Sequence, residues 1–278
     1  MSFLKRFVAN RGAAAGLALL LLVILTGILA STLYADPPWM MVAQPLLGPF
    51  ADAAYPLGTD MLGRDIAAGL AYGARVSLMI GVISTLVAVL IGIVVGALAG
   101  YHGGRVDDAL MRGTEFFQTI PQLAMALVLV AIFKPSLYSI VGAISMVSWP
   151  PVARLVRSEF MTLKQREFVQ AAIVIGQKPA RIIFTQILPN AASPVIVTAS
   201  LMTATAILTE SALSFLGLGD RNLMSWGFMI GAARTMLREA PWMSLWPGLA
   251  IMVTVLAINL IGEGLNDALN PQLRKRGA

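Results

Sequence analysis

The chain has 278 residues, 58% of them hydrophobic and only 12% charged, with a mean hydropathy of +0.79 and a formal net charge of +6. That balance excludes an ordinary water-soluble domain and places the chain in a lipid bilayer. Cysteine is absent and His102 is the only histidine, which excludes a disulfide framework, a thiolate metal site and a multi-histidine metal site.

Six stretches of at least 18 residues lack Asp, Glu, Lys and Arg: 12–35, 76–104, 116–133, 135–153, 182–209 and 240–262. As a helix, each is long enough to cross about 30 Å of hydrocarbon. The sequence therefore predicts an all-α, polytopic membrane protein with six transmembrane helices. Lys5, Arg6 and Arg11 precede the first stretch, whose apolar core exceeds the roughly 7 to 15 residues of a signal-peptide core, so it reads as a retained helix. With residue 1 inside, fourteen Lys and Arg fall on inner segments and six on outer ones, whereas the acids divide evenly. This asymmetry predicts both termini in the cytoplasm and accounts for the positive charge without nucleic acid.

In chain order, a cytoplasmic tail and first helix occupy 1–35, and an extracytoplasmic segment occupies 36–75. A membrane domain of five further helices fills 76–264, with an inner loop at about 154–190, and a second tail follows at 265–278. Asp36-Pro37-Pro38, Gln44-Pro45 and Gly48-Pro49 make the outer segment irregular and turn-rich. Within it, Gly58 and Gly63 favour turns, and Asp60, Arg64 and Asp65 are close enough for local ion pairs. Lys134-Pro135 predicts a tight outer turn between two helices.

The inner loop holds the most informative run, Arg166-Glu167-Phe168-Val169-Gln170-Ala171-Ala172-Ile173-Val174-Ile175-Gly176. Its small residues Ala171, Ala172 and Gly176 would let a partner approach the backbone, with Arg166, Glu167, Lys178 and Arg181 at the rim. A basic loop that merely obeys topology is the plain alternative. Pro179 suits the first turn of a second short helix. The outer end contributes Leu213-Ser214-Phe215-Leu216-Gly217-Leu218-Gly219-Asp220 and Ser225-Trp226-Gly227, read as loop, with Trp226, Trp242 and Trp246 suited to a headgroup-level belt.

Taken with Tyr55-Pro56-Leu57-Gly58-Thr59-Asp60, Gly100-Tyr101-His102-Gly103-Gly104 and Asn259-Leu260-Ile261-Gly262-Glu263-Gly264, these runs resemble the dipeptide, oligopeptide and nickel permeases of binding-protein-dependent ABC importers, second-permease type. The resemblance implies a type I importer fold in the bacterial inner membrane. The loop residues Arg166, Glu167, Gln170, Ala171, Ala172, Gly176 and Lys178 would then couple to a separate ATPase. Asp60, Arg64, Asp65, Phe215, Gly217 and Trp226 would form an outer scaffold or gate. The implied partners are a second homologous permease, two ATPases and an extracytoplasmic solute-binding protein. Gln170 stands where the family usually has Glu, and Asn266 and Asn270 replace its usual Arg and Asp.

No Gly-x-x-x-x-Gly-Lys-Ser/Thr occurs, so the chain has no P-loop. The expectation is a transport subunit with no cofactor of its own, using ATP and Mg bound by the partner ATPases. Short peptides are the expected cargo; a nickel chelate or another small solute is the alternative. An ion-coupled carrier or an intramembrane hydrolase would need a carboxylate or a nucleophile-activating group inside a span. Glu115, Glu210 and Glu263 only border the charge-free stretches. Gln118, Gln122, Thr198, Thr205 and Thr209 are candidates for a wet pathway, with hydrogen bonding between helices as the competing role.

Overall fold

The structure, a computed structural model, describes residues 7–269; Lys5, Arg6, Asn270, Pro271, Arg274, Lys275 and Arg276 lie outside the described residues. In chain order the helices are α1 (Arg11–Leu33), α2 (Ile66–His102), α3 (Gly104–Thr119), α4 (Gln122–Phe133), α5 (Leu137–Lys164), α6 (Glu167–Val174), α7 (Pro179–Ile182), α8 (Leu188–Leu213), α9 (Trp226–Ala233) and α10 (Trp242–Leu269). π-helical turns at Ile183–Ile187 and Ser214–Leu218 flank α8, so one helical rod runs from Pro179 as far as a kink at Gly217, within the 179–218 segment. Among the described residues the only β pairing is two isolated bridges in the 34–65 segment.

Among the described residues, five helical segments are long and apolar enough to cross a membrane: α1, α2, α5, the 179–218 rod and α10. A sixth span exists only if α3 and α4, bent by 86°, count together. The single helix expected over 116–133 is thus corrected to a broken one. Pro121 has no amide hydrogen and pushes Ile120 out of helical conformation, to φ −94 and ψ 131. Helix α2 also starts earlier than the charge-free stretch that opens at 76, because the Asp65 side chain accepts from Ala67 N at 2.8 Å and caps it at Ile66.

Close packing follows small residues. Gly92, Gly96 and Gly100, spaced four apart on α2, lie against Val152, Ala153, Val156 and Arg157 of α5. A Cβ at Gly92 would fall 2.5 Å from Val152 Cβ, and one at Gly96 would overlap the Ala153 carbonyl. Two backbones reach this separation only where side chains are missing. Hydroxyls add polar ties: Ser145 Oγ donates to Ser84 O at 3.1 Å, and Thr203 Oγ1 to Thr85 Oγ1 at 3.3 Å.

Arg75 of α2 donates to the Gly27 and Ile28 carbonyls of α1, which ties these two helices together. Asn10 Nδ2 donates to Asp267 Oδ2 at 3.0 Å, so the described ends of the chain meet. The end of α2, the end of α5 and the loop carrying α6 share that end of the bundle, where Lys164 Nζ reaches Tyr101 O at 2.6 Å. The 34–65 segment and α9 occupy the far end.

Candidate coupling site and far-end element

Helix α6 forms a short strut. Arg166 precedes it in extended conformation, Glu167 opens its first turn, and Gly176 ends it with φ +76, a left-handed conformation that suits glycine. Gly176 N donates to Ile173 O at 2.9 Å and Gln177 N to Ala172 O at 3.1 Å, closing the last turn. Lys178 then precedes Pro179 at the start of α7.

One side of α6 belongs to the bundle. Val169 and Ala172 are buried in a cluster with Val152, Val156, Phe160, Ile182 and Ile187. This corrects the view of Ala172 as a surface for a partner: at 4% exposure, its small size serves contact with this chain's own core. The opposite side is open and apolar, with Val174 84% and Ile175 73% exposed. Ala171, Gln170, Arg166, Glu167, Gly176 and Lys178 are also exposed, and Gln170 Nε2 is tied back to Lys164 O at 2.8 Å. The sequence pattern drew attention to small residues and passed over the large exposed ones beside them.

At the far end, Asp60 organises its turn. Its carboxylate accepts from Leu62 N at 2.8 Å, Arg64 N at 3.0 Å and Arg64 Nε at 2.6 Å, while the Arg64 guanidinium lies over the Trp39 ring at 5.4 Å. Asp65 is engaged separately as the cap of α2. Burial pushes the Asp65 carboxyl above its usual range, against the opposing pull of the Ala67 and Ala68 amides. Burial, and then the nearby Asp65 charge, likewise raise the Tyr34 phenol.

The run from Leu213 to Leu218 is the end of the rod, which corrects its reading as loop; Gly217, at φ +89, terminates the helix, and Phe215 is exposed beside it. Trp226 is 2% exposed and belongs to the core, which corrects its place in a headgroup-level belt. Its backbone N donates to Ser77 Oγ at 3.1 Å and its indole Nε1 to Leu70 O at 2.9 Å, pinning α9 to α2.

Glu210 lies inside the rod at 1% exposure, which overturns the expectation that it merely borders a span. Its Oε1 accepts from Ser214 Oγ and Ser225 Oγ, both at 2.8 Å. The sequence signal was present in Ser214 and Ser225, which supply donors to a carboxyl taken out of water.

The pathway candidates do not converge through mutual hydrogen bonds among the described residues. Gln118 Oε1 accepts from Arg154 at 3.0 Å, and Gln122, beyond the Pro121 break, donates to Val147 O at 3.4 Å. Thr205 and Thr209 return their hydroxyls to carbonyls four residues back on α8; Thr205 is exposed and Thr209 partly exposed. Contact between helices through threonine instead uses Thr203. Thr198 is partly exposed on α8.

Residues 92–275 match the family described as binding-protein-dependent transport system inner membrane component. The chain is 40% identical over 275 residues to the dipeptide transport system permease protein DppC of Alkalihalophilus pseudofirmus, covering 97% of this chain and 89% of that protein. The chain belongs to this family. Among other members, the oligopeptide transport system permease protein OppC of Escherichia coli is 42% identical, covering 97% of this chain and 90% of its own. The Pseudomonas aeruginosa di/tripeptide transport system permease protein DppC is 39% identical, covering 98% and 92%. The fold is shared with an inward-facing structure of the MetNI methionine ABC transporter, at TM-score 0.62 and 16% identity over 73% of this chain and 96% of that one.

Proposed function

We propose that the chain is a permease subunit of an ATP-driven importer of short peptides in the bacterial inner membrane, with six spans and both termini cytoplasmic. It pairs with a second, homologous permease. ATP and Mg are bound and used by two separate ATPase subunits beneath the pair, and an extracytoplasmic binding protein delivers cargo at the far end.

The observation that carries this reading is the geometry of α6. A short helix, seated on the bundle core through Val169 and Ala172, presents Val174 and Ile175 to the outside. Large apolar side chains held this far out of the protein fit a partner's cleft. Because α6 leads through Lys178 and Pro179 directly into the rod, a push on α6 would reach the far end of the bundle. That suits a two-state change from inward-facing to outward-facing packing. The peptide cargo rests on the permeases named above.

Glu210 supplies the buried carboxylate an ion-coupled carrier would need, but its Oε1 is engaged by serines and Gly227 backbone closes over it. The test is uptake of radiolabelled tri-alanine into proteoliposomes carrying the complex co-purified with the tagged chain and its binding protein. ATP-dependent uptake, insensitive to a collapsed proton gradient, is expected. Uptake that requires the gradient and ignores ATP would refute the importer reading.

A further inference from the structure

We propose that Glu210 is a positioning residue that clamps α9 to the end of the 179–218 rod, so that movement of the coupling loop is delivered to α9 as a rigid body. The inference rests on the importer reading above.

Three observations converge on this carboxyl. First, its two donors come from both sides of the joint. Ser214 lies in the π-helical turn that ends the rod, and Ser225 is the residue that caps α9. The Ser225 hydroxyl accepts from Phe228 N at 2.9 Å while donating to Glu210 Oε1 at 2.8 Å, so the group that starts α9 is also the group that ties it to α8.

Second, glycines bring the two elements into direct backbone contact. A Cβ on Gly227 would lie 2.7 Å from both Glu210 carboxyl oxygens, and one on Gly231 would lie 2.5 Å from Ser214 O. At these two glycines no side chain separates the elements. Third, Oε2 of Glu210 is buried without a hydrogen-bond partner. A leucine of similar size would fill this place without desolvating a carboxyl, so packing alone does not account for the residue. What the carboxyl supplies is direction, since its hydrogen bonds fix the angle at which α9 leaves the rod.

The joint also shapes a cavity. Ser214 and Gly217 from the rod and Phe228 and Gly231 from α9 line a concavity of about 320 Å³, with Arg64 and Arg234 at its edge. The rod end and α9 thus both contribute to the lining of one cavity, and a clamp between them holds that lining in place. At the other end of the rod, a second π-helical turn sits beside the coupling loop. Such turns are local irregularities that often accompany function, and here they bracket the segment that would move as one piece.

The absence of native cysteine permits a direct test. Spin labels on Leu208→Cys and Thr235→Cys, both exposed positions, report the spacing between α8 and the end of α9. The reconstituted complex would be measured without nucleotide and after trapping with ATP and vanadate, alongside tri-alanine uptake. With Glu210 in place, one narrow distance distribution is expected in each state. Glu210→Ala should broaden both and lower uptake by about tenfold. Glu210→Gln, whose amide oxygen still accepts both serine bonds, should restore the narrow distributions.

Wild-type distributions and uptake in Glu210→Ala would overturn the clamp, as would broad distributions in wild type or in Glu210→Gln. If Glu210→Ala fails to assemble, Ser225→Ala takes its place, and narrow distributions there would overturn it equally. Absence of ATP-dependent uptake in wild type would instead count against the importer reading, while the distances still judge the clamp.

Discussion

Arg157 of α5 holds Asp107 of α3 through two parallel hydrogen bonds, Nε to Oδ1 and Nη2 to Oδ2, each 2.5 Å long. The pair fixes the start of α3 after the Gly103-Gly104 link, whose two residues both have positive φ. Asp107→Ala leaves a partly buried guanidinium without its partner and should cost about 1–3 kcal/mol. Thermal unfolding in detergent measures the loss, and the exchanged pair Asp107→Arg with Arg157→Asp should recover part of it. An unchanged midpoint in Asp107→Ala would show that the pair contributes nothing.

Gly96→Leu forces a side chain into the space occupied by the Ala153 carbonyl. Overpacking of this kind costs about 1–3 kcal/mol or more, and here the clash is with backbone that cannot turn away. The expected result is a lowered unfolding midpoint or aggregation on size exclusion. Gly113→Ala on α3, where nothing lies within 4 Å of the added carbon, is the matched control and should be tolerated.

The hydroxyls of Thr205 and Thr209 are satisfied within α8 and bridge to no other helix. Their replacement by Val should therefore leave assembly intact. Slower tri-alanine uptake by the double variant would assign them to the pathway; an unchanged rate would remove them from it.

Much of the fold was legible because lipid imposes a length rule. A stretch free of charge and long enough to cross reads as a helix whatever its neighbours, and α1, α5 and α10 follow directly. What the rule misses is physical and local. Charge-free length cannot register that Pro121 breaks a helix, that the Asp65 cap extends α2 beyond its apolar stretch, or that one oxygen of Glu210 is held inside a helix by Ser214 and Ser225. The same blindness applies to α6. Sequence spacing marks Ala171 and Ala172 alike, yet successive helical positions point about 100° apart, so one faces solvent and the other the core.

Asp65 gives a pH dependence of stated sign. Its carboxyl is held above the ordinary 3.8, so the folded protein binds this proton more tightly than the unfolded chain. The contribution to stability is full below pH 3.8 and is lost as pH rises through the folded-state value. Asp65→Asn keeps a capping acceptor and cannot titrate. The unfolding midpoint of wild type relative to this variant should fall with rising pH across that window and then level off. A difference that grows with pH would contradict the assignment.

The most direct test is affinity purification of the tagged chain from its native membrane, with co-purifying proteins identified by mass spectrometry, for wild type, Val174→Asp and Ala172→Asp. Wild type should bring down a second permease and P-loop ATPases. Val174→Asp, altered at an exposed position, should keep the permease pair and lose the ATPases, whereas Ala172→Asp buries an unpaired carboxylate and should fail to fold. Recovery of wild type alone, from an extract in which other membrane complexes survive, would contradict the assignment of α6 as the surface that couples this chain to ATP hydrolysis.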